Sequence, residues 1–316
     1  MQKKGLIFAV IAVVAVAAVV AGMTLLPNTY ASNDKNNAAN TIPEANSTLE
    51  VLTPVASGTL AFNEKDVVLD ASNSAQGYVM LKYTGSSPKV KVQITKKGGT
   101  TYTYNILKRD DYEVFPMSEG DGSYDVKLFE NVEGTKYAQK FAKTVDVKLD
   151  NKFLPFLYPN QYVNFTAQSQ VIAMGDQLTK NAKTDFEKVE IIYNYAVDNF
   201  TYDYDKAATV KSGYLPKVDE ILQSKTGICF DYAAVMSSML RGENIPCKLV
   251  VGYTGKIYHA WINVYTESTG WIDGLIFFDG QNWQMMDPTF ASSNDKSKEI
   301  LEYISTPSNY TAKYCY

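Results

Sequence analysis

The chain has 316 residues, of which 46% are hydrophobic, 20% charged and 13% aromatic; this fits one large or two medium globular domains. A net charge of -4 without a basic stripe argues against nucleic acid as a partner. Three cysteines with no CxxC, and one histidine in all, leave almost no material for a Cys/His zinc site and form no disulfide framework.

The first segment, residues 1–31, starts with Lys3 and Lys4, continues as an uncharged run from Gly5 to Leu26, and ends in Pro27 and small residues up to Ala31. A basic start, an apolar core and a small residue at the end describe a secretory signal cleaved near Ala31. The run is also long enough for a retained membrane anchor. Both readings place the remainder outside the cytoplasm, as a secreted or membrane-anchored extracellular protein. Residues 32–55 are rich in Asn, Ser, Thr, Ala and Pro, a composition that buries little apolar surface and predicts a flexible linker.

Between residues 56 and 152 the pattern has period two. Val90, Val92 and Ile94 alternate with Lys91 and Gln93, and Tyr124, Val126 and Leu128 with Asp125 and Lys127; Gly98-Gly99 marks a turn. Such alternation between short glycine-containing turns predicts half-buried antiparallel strands. About seven runs of this kind predict a β-sandwich of immunoglobulin-like size. It carries no catalytic constellation and reads as a spacer, a binding module or plain scaffold.

From residue 153 to 316 the pattern changes. Thr184 and Glu187 match a capping box, followed by Phe186, Val189, Ile192, Tyr193 and Ala196 at helical spacing. A shorter helix is expected over 218–223, another through Leu240, and then a run of strands. Helices followed by strands predict an α+β domain.

Three stretches carry the chemistry. In Gly227-Ile228-Cys229-Phe230-Asp231 the glycine allows a sharp turn, and a helix ended by Gly242 and Pro246 follows. Cys229 then sits in a first helical turn, where the dipole and unpaired amides favour a thiolate and can hold an oxyanion. Asp231 lies about 200° further round the helix and reads as a first-turn stabiliser. Alone, Cys229 would pass for a packed hydrophobe. In Tyr258-His259-Ala260-Trp261-Ile262-Asn263, period two puts His259 on one face and an apolar set on the other; the apolar face is expected on the core and the His face toward something polar. In the third, Asp279-Gly280 is a two-residue hairpin signal, after which Trp283, Met285 and Asp287 share a face and Pro288 ends the strand. A carboxylate held at a strand end can orient an imidazole.

Gly227-Ile228-Cys229 with Asp231-Tyr232-Ala233, Ile245-Pro246 to Val251-Gly252-Tyr253, His259-Ala260-Trp261, and Trp283 with Asp287-Pro288-Thr289 together resemble the transglutaminase-like core domain, in order and at similar spacing. The resemblance covers roughly residues 160 to 290. It implies a papain-like fold with a Cys-His-Asp triad, carried here by Cys229, His259 and Asp287. Cys247 falls where that family has a small or apolar residue and reads as structural. An upstream side chain, Tyr202 or Tyr204, is the place to look for an oxyanion-hole partner.

The chemistry implied is acyl transfer through a Cys229 thioester, on carboxamide or peptide bonds of proteins or peptides, with cell-surface or wall-linked substrates suggested by compartment. A thiol protease or amidase on the same core, and a non-catalytic cell-surface scaffold, stay open as alternatives. No cofactor and no metal is expected: Asp203 and Asp205 lack further calcium-loop ligands and read as a solvated turn. The C-terminal stretch is expected to be helical over 296–305 and then to pack against the core, and Cys315 has no reading.

Overall fold

A computed structural model describes residues 41–45, 47–273, 276–278, 283–285 and 309–316. The apolar N-terminal run, Asp287 and the helix expected over 296–305 lie outside the described residues.

The period-two region forms eight strands: β1 (Ala61–Glu64), β2 (Val67–Asp70), β3 (Tyr78–Tyr83), β4 (Val90–Lys96), β5 (Thr101–Asn105), β6 (Tyr112–Pro116), β7 (Gly122–Glu133) and β8 (Lys136–Val147). They pair antiparallel in two four-stranded sheets, ordered β1-β2-β3-β6 and β5-β4-β7-β8. Alternation decides which face is covered: Val90, Val92 and Ile94 on β4 and Val126 and Leu128 on β7 are buried, as are Leu69, Leu81 and Phe115 on the first sheet. The sheets meet through rings such as Tyr104 and Phe115, whose centroids lie 5.0 Å apart. On β8 the lysines stay exposed, which discourages another strand from adding there.

Composition predicts a flexible linker over 32–55, yet its described part is fastened to the body. The Ser47 hydroxyl and the Thr48 amide both donate to Asp176 Oδ2, at 3.0 and 3.1 Å. Leu49 and Val51 pack on the core, and the Val55 amide donates to the Tyr78 hydroxyl. These anchors and apolar contacts hold it although its described residues form no helix or strand.

The remaining elements are α1 (Gln170–Thr179), α2 (Asp185–Asn199), β9 (Thr201–Tyr202), α3 (Tyr204–Thr209), α4 (Val218–Ser224), β10 (Thr226–Gly227), α5 (Cys229–Gly242), β11 (Cys247–Thr254), β12 (Ile257–Thr266), β13 (Gly270–Ile272), β14 (Ile276–Phe278), β15 (Trp283–Met285) and β16 (Tyr310–Cys315). Together with the strands before them they make a mixed α and β fold. α2 starts at the expected cap, with Thr184 Oγ1 accepting the Glu187 amide at 3.1 Å. The reciprocal half differs: Glu187 Oε2 accepts the Lys183 amide, one residue before the cap.

α5 is the central element. Every residue from Asp231 to Gly242 is buried, with α1, α2 and α4 packed around it and β11 and β12 also against it. The sheet beside it is ordered β13-β12-β11-β16. The buried Arg241 guanidinium ties this layer together, donating to the carbonyls of Cys247, Tyr158 and Tyr316 at 2.6–3.0 Å. β16 closes the edge of β11 and reaches the N-terminal strands, where the Cys315 amide meets the Tyr102 hydroxyl at 3.3 Å. Phe278 pairs with Trp283; the Asp279-Gly280 turn signal lies outside the described residues.

Candidate active site

The chain enters α5 through a turn that only glycine fits. A Cβ on Gly227 would fall 2.6 Å from Asp231 Cβ. Ile228 is the extended N-cap (φ -99, ψ 175), and Cys229 is the first helical residue. Its thiol is free and half-buried. First-turn amides have no partner within the helix, so this is the position where the helix field favours a negative sulfur or oxyanion.

Asp231 does what its place on the helix predicts. Its side chain is 0% exposed, and Oδ2 accepts the Ile228 amide at 2.9 Å, fixing the cap. Sequence reasoning missed its other partners: Lys206 Nζ donates to Oδ2 and the Tyr214 hydroxyl to Oδ1, each at 2.6 Å. Burial, then the hydrogen bond to Asp231, pushes the Tyr214 phenol well up, so it stays a neutral donor.

His259 sits near the start of β12, opposite Gly252. Its ring lies 6.2 Å from Trp261 and 6.4 Å from Tyr310, centroid to centroid. The expected face-to-face contrast of β12 is only half right. Ala260, Ile262 and Val264 join the core, as predicted, but His259, Trp261 and Asn263 are also only 5%, 6% and 9% exposed. The sheet is covered on both faces. Asn263 Nδ2 donates to Asp273 Oδ1 at 2.7 Å.

α5, which begins at Cys229, packs against β12, the strand that carries His259. The helix leads into β11, and β11 pairs antiparallel with β12. Ser237 Oγ lies 3.3 Å from Cys247 Sγ, and Cys247 pairs with Val264, which sets a common level. From there Cys229 is about 12 Å back along the helix, and His259 about 17 Å back along the strand. Tyr162 packs on Phe230 with centroids 5.6 Å apart, and partial burial pushes the Tyr258 phenol up to about 12. β15 ends at Met285, two positions before Asp287.

The other cysteines are different in kind. Cys247 is fully buried, and desolvation pushes its thiol up to about 11 despite the Ser237 hydrogen bond and nearby Arg241. Burial likewise raises Cys315. Tyr202 pairs across from Gly227, while Tyr204 is exposed and meets Tyr202 edge-on at 5.0 Å. Asp203 caps α3, accepting the Lys206 amide at 2.8 Å. Among the described residues no cluster of three or more His, Cys, Asp or Glu side chains is placed to hold a metal ion.

The transglutaminase-like superfamily model matches residues 172–288. Among curated proteins, the chain is 24% identical over 200 residues to the uncharacterized protein YebA of Bacillus subtilis, covering 57% of this chain and 23% of that one. It is 27% identical over 139 residues to human kyphoscoliosis peptidase (40% and 19% covered). It is 24% identical over 146 residues to a protein-glutamine gamma-glutamyltransferase of Pseudomonas aeruginosa (41% and 20% covered). The chain spans about a quarter or less of the length of these curated relatives.

Proposed function

Residues 172–288 are a transglutaminase-like domain, and from that premise we propose that the chain is an exported thiol enzyme with Cys229 as nucleophile, His259 as base and Asp287 as the group that orients the base. The observation that carries this is the position of Cys229: a free, half-buried thiol on the first residue of a buried helix that packs against β12, the strand bearing His259.

In the first step His259 takes the Cys229 proton and the sulfur adds to a carboxamide or peptide carbonyl. First-turn amides of α5 stabilise the oxyanion, and His259 returns the proton to the departing ammonia or amine. A thioester remains. Attack by an amine gives an isopeptide bond and regenerates the thiol; attack by water gives a carboxylic acid. A peptidase and a gamma-glutamyltransferase both occur among the relatives, so hydrolysis stands beside transfer as the second reading. The basic start and apolar run of the N-terminus support export, with protein or peptide substrates at the cell surface, including wall-linked peptides. The N-terminal sheets are then an immunoglobulin-like spacer or binding module.

The test is intact-mass detection of an acyl adduct on the wild type and on Cys229→Ala after incubation with surface peptides. An adduct on the wild type alone supports the assignment; equal adducts on both overturn it. Incorporation of a fluorescent primary amine into a glutamine-bearing protein identifies transfer, and cleavage or ammonia release without incorporation identifies hydrolysis. A scaffold would show neither.

A further inference from the structure

Between α2 and α4 the chain makes an excursion that comes back three times to the turn carrying Cys229. β9 pairs in parallel with β10, setting Tyr202 opposite Gly227, and the Asp203 amide donates to the Gly227 carbonyl at 2.9 Å. From α3, Lys206 Nζ reaches Asp231 Oδ2; beyond it, the Tyr214 hydroxyl reaches Asp231 Oδ1. Lys206 Nζ also donates to the Tyr214 hydroxyl at 2.7 Å, closing a triangle on the carboxylate. This excursion thus holds the turn from one side while Asp231 holds it from within.

This arrangement meets an electrostatic demand. Asp231 secures the N-cap amide and lets the backbone pass at Gly227, but it places a wholly buried negative charge two residues from the sulfur. A carboxylate there opposes the helix field and disfavours a thiolate. An ammonium bonded to the same oxygen removes that opposition without releasing the cap. We propose that Lys206 is a positioning residue for Cys229, acting through Asp231: it neutralises the carboxylate that shapes the nucleophile turn, so the first-turn field acts on the sulfur unopposed. This rests on Cys229 being the nucleophile. Titratable groups around the turn also include Tyr214 from this excursion, Tyr202 on β9 and Tyr162 beside Phe230.

The experiment measures iodoacetamide alkylation of Cys229 at neutral pH, resolved from Cys247 and Cys315 by peptide mass spectrometry, in the full chain. Lys206→Met should slow Cys229 alkylation about tenfold or more. Asp231→Asn added to Lys206→Met should restore most of the rate by removing the unopposed charge, and Lys206→Arg should stay near the wild type. A purely structural role predicts the reverse for the double variant, since it removes two contacts. An unchanged rate in Lys206→Met, or a double variant no faster than the single one, overturns the inference. Should Lys206→Met fail to fold, the folded double variant compared with the wild type decides: a Cys229 rate near the wild type supports charge cancellation, and a rate about tenfold or more below it overturns the inference. Wild-type Cys229 alkylating no faster than Cys247 would instead overturn the nucleophile assignment, and the inference with it.

Discussion

Tyr202 lies directly opposite Gly227 in a two-residue parallel ladder, although the chain passes through two helices between them. That ladder places the excursion from β9 to Tyr214 against the turn before Cys229, and the Lys206 and Tyr214 contacts on Asp231 depend on it. The candidate nucleophile is therefore set by a remote segment as much as by its own helix.

Cys229→Ala should abolish adduct formation with little change in melting temperature, because the thiol is only half-buried. His259→Gln and Asp287→Asn should each lower kcat by about a thousandfold or more, as expected for members of one catalytic unit. Steady-state kinetics with a carboxamide peptide checks this, and a variant at either position retaining wild-type kcat would remove that residue from the assignment.

Gly227→Ala forces a methyl group to within 2.6 Å of Asp231 Cβ. The turn must open, so stability should fall by about 1–3 kcal/mol and Cys229 alkylation should slow. Urea unfolding and thiol labelling report the two effects separately.

Arg241→Met removes the donors that serve the carbonyls of Cys247, Tyr158 and Tyr316. Leaving buried acceptors unsatisfied costs about 1–3 kcal/mol each, so this should be among the most damaging single changes in the layer. The expected readout is a large drop in the urea midpoint with the m-value unchanged.

Burial pushes the Cys247 thiol up from 9.0 to about 11. The folded state therefore keeps its proton while the unfolded chain loses it. The contribution is present below pH 9 and is lost as pH rises toward about 11, amounting to about 2–3 kcal/mol. Comparing the stability of the wild type and Cys247→Ala across pH 8 to 11 isolates it, because other groups titrate equally in both. A parallel fall in both proteins would contradict the assignment.

Thr184→Ala removes the acceptor of the Glu187 amide and should cost about 1 kcal/mol. Thermal unfolding should shift modestly without affecting thiol reactivity, in contrast to Gly227→Ala.

Much of this was legible in the residues. Alternation located β4 and β7, the Thr184 cap marked the start of α2, and the Gly227-Ile228-Cys229 turn marked the start of α5. α1 and the docking of the chain at Ser47 and Thr48 were not read, because each depends on a surface supplied elsewhere. The Asp279-Gly280 signal lies between β14 and β15, which pair antiparallel.

Local chain geometry repeats every 2 or 3.6 residues, so the sequence alone determined the strands, the main helices, the first-turn place of Cys229 and the common face of His259 and Trp261. What lies across from a residue has no such period. That His259 would be covered, that β16 would close the sheet, and that Lys206 and Tyr214 would converge on Asp231 were decided only when distant surfaces met, because burial and charge pairing depend on which segments share one volume.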